Sequence, residues 1–168
     1  MQKPTWAKVV GIIGIIIACF GLLGAWQTTN IPKMIKFQKE MMPQIEKRMA
    51  EKHQGSSEET MKMMEKMWNV PEWFNGWCVI AGVITFMVSG FYLYASIGLM
   101  QIKKIAISLF YMAGGASIIF SVIKGFMAIS AMSFMGISLV FGDVFGIIVN
   151  IILLIVVASG NKEAFQHN

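Results

Sequence analysis

Four stretches of this chain are apolar for longer than a soluble core can hide. Residues 6–26 read WAKVVGIIGIIIACFGLLGAW, and residues 78–100, 105–128 and 136–159 continue in the same manner. A helix rises about 1.5 Å per residue, so about 20 apolar residues cross a hydrocarbon layer of about 30 Å. Within that layer no water serves the peptide groups, and a helix satisfies them inside its own segment. The expected fold is therefore an all-α membrane protein, a four-transmembrane-helix bundle. Charged residues make up only 14% of the chain, about half the share in a soluble domain, and most of them fall in a single insert.

That insert covers residues 27–77. It holds eight Lys/Arg and seven Glu. Ile31, Met34, Met41, Ile45 and Met49 recur at roughly helical spacing, which predicts an amphipathic helix interrupted near Pro43. Pro32 and Pro43 suit helix starts, where a missing N–H costs nothing. Ser56 and Glu59 form a capping box after the turn at Gln54-Gly55. Met61, Met64 and Trp68 then share a face of a second helix. The expectation is an amphipathic helical hairpin between the first and second spans, most simply placed outside the cytoplasm, with its methionines as a contact surface.

Residues 1–26 form the N-terminus and first span. Lys3 and Lys8 followed by an apolar run also suit a signal peptide, and Ile16-Ile17-Ala18-Cys19 resembles a lipoprotein processing box. The apolar run continues past Cys19 through Phe20-Gly21-Leu22-Leu23, so the segment is expected to be retained. Trp6, Trp26, Trp73 and Trp77 are expected at the membrane–water interface, which suits an amphipathic ring. A polar tail, residues 160–168, closes the chain.

The net charge is +5, with Lys3, Lys8, Lys103, Lys104 and Lys162 flanking the spans. No Lys/Arg stripe interleaved with aromatics is present, so nucleic acid is not an expected partner. Flanking lysines instead mark topology and meet headgroups. They place both termini and the polar turn 101–104 in the cytoplasm, in an inner or plasma membrane, although the basic residues of the insert oppose that orientation.

Small or polar residues repeat at alternating steps of three and four in each span. The sets are Gly11, Gly14, Ala18, Gly21 and Ala25; Gly82, Thr85, Ser89, Tyr92 and Ser96; Gly114, Ser117, Ser121, Lys124 and Ala128; and Gly136, Leu139, Asp143, Gly146 and Asn150. Lipid is as apolar as leucine, so helices in a bilayer associate by close approach and hydrogen bonding. These sets are expected to face one another across left-handed crossings.

Ionisable groups inside a span suggest function. In a hairpin turning near residue 131, Lys124 sits about one turn shallower than Asp143, a gap that a lysine side chain can cover, with Asn150 two turns further along the Asp143 face. A structural ion pair is the favoured reading. A small channel or transporter built on Lys124, Asp143 and Asn150 is the alternative. The methionines of the insert, with His53, raise Cu(I) handling as a further alternative, although methionine is more often a flexible apolar filler. Catalysis is not expected, because His53 and His167 both lie outside the spans and no nucleophile, phosphate-loop or zinc pattern occurs. No cofactor or resident metal is expected.

A large loop between the first two spans, with both termini inside, resembles the claudin topology. The chain departs from that family at Trp73-Phe74-Asn75-Gly76-Trp77-Cys78, where a single cysteine stands, and its insert reads as helix rather than sheet. No family membership is inferred. The functional expectation is association, with the bilayer around the chain and a second copy or another membrane protein as partner.

Overall fold

The computed structural model describes residues 4–52, 70–131 and 134–165. They form α1 (Thr5–Lys52), α2 (Glu72–Met100), α3 (Ala106–Ser130), α4 (Phe134–Ser159) and a terminal 3-10 turn (Glu163–Phe165), with no strand among them. Four helices, Thr5–Ile45, Glu72–Met100, Ala106–Ser130 and Val140–Ser159, are long and apolar enough to cross a membrane. Their outer faces fit that solvent. Phe20, Phe126, Phe141 and Phe145 are each at least 70% exposed, and a monomer in water rarely leaves so much apolar surface uncovered.

The helices alternate in direction. α1 packs most extensively on α2, α2 on α3 and α3 on α4, while α4 meets α1 only sparsely. One cluster joins all four helices at the end that holds the 101–105 turn. It includes Val10, Tyr92, Leu99, Phe110, Leu153 and Val157. A second cluster at the opposite end gathers Ile31, Ile35, Val70, Phe74, Cys78 and Ala131.

The proline pattern predicts a break in the insert's first arm, and the structure has none. α1 runs unbroken through Pro32 and Pro43. An interior proline costs about 3 kcal/mol through its lost hydrogen bond and its clash with the preceding turn. Around Pro32 that cost is offset by Ile31 and Ile35, which are 7% and 2% exposed in the second cluster. Each buried aliphatic side chain contributes about 1.5–3 kcal/mol. Pro43 stands exposed, where water reaches the carbonyl it leaves without a donor. The second arm of the expected hairpin, with Ser56, Glu59, Met61, Met64 and Trp68, lies outside the described residues.

The turn between α2 and α3 is not wholly polar either. Ile102 has φ 58° and is only 5% exposed. The Lys103 N–H donates to the Gly98 carbonyl, and the Ile102 N–H to the Leu99 carbonyl, both at 3.1 Å. This is the Schellman pattern, with isoleucine where glycine is usual. The left-handed backbone turns the isoleucine side chain into the core.

Candidate functional site

Close approach is concentrated between α1 and α2. A Cβ on Gly11 would collide with Met100 and stand 3.0 Å from the Ser96 carbonyl oxygen. On Gly14 it would collide with Ser96, and on Gly21 with Ser89. On Gly82 it would collide with Thr29 and stand 3.0 Å from the Ala25 carbonyl oxygen. Ala18 is 1% exposed between these contacts. Thr29 and Ser96 keep their hydroxyls donated to the carbonyls of Ala25 and Tyr92, at 2.8 Å. The contact face thus carries hydroxyls, and those of Thr29 and Ser96 close their hydrogen bonds within their own helices.

α3 and α4 meet through a ladder of mixed character. Gly114 accommodates Leu154, whose Cδ2 would stand 3.0 Å from a Cβ there. Higher up, Asn150 Nδ2 donates to Ser117 Oγ at 3.2 Å. Higher again, Lys124 Nζ donates to Asp143 Oδ1 at 2.6 Å. Their side chains are 22% and 14% exposed. Lys124 Nζ also lies 5.7 Å from the Phe120 ring centroid. Ser121 is half-buried beside this ladder. A Cβ on Gly146 would meet none of the described residues within 4 Å, so close approach among them does not require glycine there. Gly136 lies on α4.

Asn150 is 2% exposed, and its Oδ1 finds no donor among the described residues; the Tyr92 hydroxyl is likewise buried without a partner among them. Polar groups left so in an apolar interior are costly. They are points where a further polar group would be welcome. Among the described residues, no group of three His, Cys, Asp or Glu side chains stands together. Cys19 is exposed and Cys78 buried, both as free thiols.

Beyond the apolar span, α1 carries two apolar faces. Ile31 and Ile35 face inward, and Met34, Phe37 and Met41 form an outer stripe, exposed by 51%, 62% and 36%. Their three- and four-residue steps put them on one side of the helix. Phe37 was not singled out by the methionine pattern, although its spacing from Met34 and Met41 marks it. Met49 lies on the last turns of α1.

The tryptophans take different positions. Trp26 is 73% exposed and Trp73 44% exposed. Trp77 packs against the second cluster. The Trp6 indole N–H donates to the Asn161 carbonyl at 3.2 Å, and its ring stacks on Phe165.

Comparison with protein-family models, with curated proteins and with solved structures found no match to this chain. The fold itself defines the class: an all-helical protein whose four apolar helices suit a membrane-embedded chain.

Proposed function

We propose that this protein acts by association in the membrane, as a homo-oligomer or as an accessory subunit of a larger membrane complex, without catalysis of its own. The observation that carries this reading is the outer stripe of Met34, Phe37 and Met41, exposed on a helix that also carries Lys33, Lys36 and Lys39. An aromatic side chain between two adaptable methionines suits a protein partner. The extended end of α1 and the rest of the insert lie outside the cytoplasm in this reading, and both termini lie inside. The lysines at the opposite end, Lys8, Lys103, Lys104 and Lys162, support that orientation.

The test is the mass of the detergent-solubilised protein by light scattering, beside a variant with Met34→Ser, Phe37→Ser and Met41→Ser. The expected result is an assembly of fixed stoichiometry that the triple variant dissolves. A single chain in mild extracts, with no second protein at fixed ratio, would overturn the proposal.

A second reading, a small channel or transporter, draws on Asn150 and its unpaired Oδ1 beside the Lys124–Asp143 pair. The pair itself favours a structural role, because each charge already holds its partner and no second acid continues a path. Conduction by the purified protein in planar bilayers, lost in Asp143→Asn at unchanged stability, would reverse that preference.

A further inference from the structure

At the end of the molecule opposite the exposed stripe, a groove of about 450 Å³ opens between the start of α3 and the terminal 3-10 turn. Lys104 and Lys162 stand on its rim, Ser108 and Tyr111 add hydroxyls, and Ile107 and Phe165 supply apolar wall. Met112, 61% exposed, continues that wall along α3 toward the span. None of the described lining residues is acidic.

Three features of this groove favour the same occupant. Both charged groups among its described lining residues are cations. Lys162 Nζ lies 6.0 Å from the Tyr111 ring centroid, which holds one of those cations over the groove. The first turn of α3 presents Ile107 and Ser108, where the helix dipole is positive and backbone N–H groups point outward. The apolar wall then runs in the direction of the hydrocarbon, as an acyl chain does below its phosphate. The groove also lies at the end of helices long and apolar enough to cross a membrane, the level at which headgroups would stand around a crossing helix.

We propose that this groove holds the headgroup phosphate of an anionic phospholipid, with an acyl chain along Met112. A zwitterionic choline lipid brings its own cation to the same rim and is disfavoured there. The site is separate from the association stripe and does not depend on it. Basic pockets beside membrane helices bind anionic headgroups by this combination of charge and depth.

The experiment is lipid binding to the detergent-solubilised full chain, followed by native mass spectrometry. Phosphatidylglycerol is compared with phosphatidylcholine of the same chains. The variants are Lys104→Gln/Lys162→Gln and, as a charge control at the other end, Lys33→Gln/Lys36→Gln. Each lysine at an anionic lipid surface contributes about fivefold, so the first pair is expected to weaken phosphatidylglycerol binding about 25-fold. The control pair is expected to leave it unchanged. Equal binding of both lipids, an equal loss in the control pair, or no loss in the first pair overturns the proposal. Displacement of phosphatidylglycerol by millimolar inorganic phosphate overturns it in favour of a small-anion site. Should the first variant fail to fold, the two-lipid comparison and the phosphate competition on the unaltered chain still decide the matter.

Discussion

Trp6 and Phe165, from opposite ends of the chain, stack with ring centroids 5.7 Å apart and planes inclined by 29°. Phe165 is 3% exposed, and Gly160 lies so close to the Trp6 ring that a Cβ there would collide with it. The C-terminal segment therefore closes over the start of α1. It adds contact between two helices, α4 and α1, that otherwise meet only sparsely.

Removing either ring is expected to loosen that closure. Phe165→Ala should cost about 1–2 kcal/mol, less than a central core phenylalanine, because a terminal segment detaches locally. A double-mutant cycle with Trp6→Ala should give a coupling of about 0.5–1.5 kcal/mol, read from unfolding in a fixed detergent. Strict additivity of the two changes would show that the rings do not stabilise each other.

The α1–α2 contact makes a sharper demand on size. Gly82→Leu places its side chain against the Ala25 carbonyl and Thr29, and should destabilise by about 1–3 kcal/mol as an overpacked site. Gly90→Leu, where a Cβ meets none of the described residues within 4 Å, should be tolerated. The pair is compared by thermal unfolding midpoint. Equal tolerance at both positions contradicts the close approach at Gly82.

At Ile102, backbone and side chain pull in opposite directions. A left-handed conformation costs a β-branched residue about 1–2 kcal/mol, while its buried side chain contributes more than that. Both Ile102→Ala and Ile102→Gly should therefore destabilise. The glycine variant should retain about 1 kcal/mol more than the alanine variant, since it alone relieves the backbone. An alanine variant as stable as the glycine one would remove strain from the account of this turn.

The Lys124–Asp143 pair offers a test of why it is there. Asp143→Asn leaves the lysine without its counter-charge and should cost about 1–3 kcal/mol, below the full penalty for a deeply buried pair because both groups keep some exposure. Replacing both, Lys124→Met with Asp143→Leu, should restore most of that loss. The measurement is again unfolding in detergent. A double variant less stable than the single one would mean that the pair contributes more than mutual neutralisation.

The four helices were legible from the amino-acid order because length and apolarity alone constrain a chain in lipid. Trp6–Trp26 and the three later runs needed no tertiary information. The continuity of α1 was not legible, since Pro32 and Pro43 are local signals for interruption, and what outweighs the first is burial of Ile31 and Ile35 against distant Phe74 and Cys78. Ile102 was hidden for the opposite reason: its neighbours Gln101, Lys103 and Lys104 read as a polar turn, and only the left-handed backbone reveals the inward side chain. The closure of Phe165 over Trp6 had no periodic signal, because it joins a three-residue turn to the far end of the chain. Phe37 is legible in the sequence, because it stands three residues after Met34 and four before Met41 on one helix face.

The unbroken course of α1 has a mechanical consequence. The segment bearing Met34, Phe37 and Met41 and the segment seated on α2 through Gly11, Gly14 and Gly21 belong to one hydrogen-bonded element. No loop separates the exposed stripe from the glycine seam. A load applied at the exposed end is delivered as torque on the glycine seam, and loosening that seam alters the angle at which the exposed end is presented.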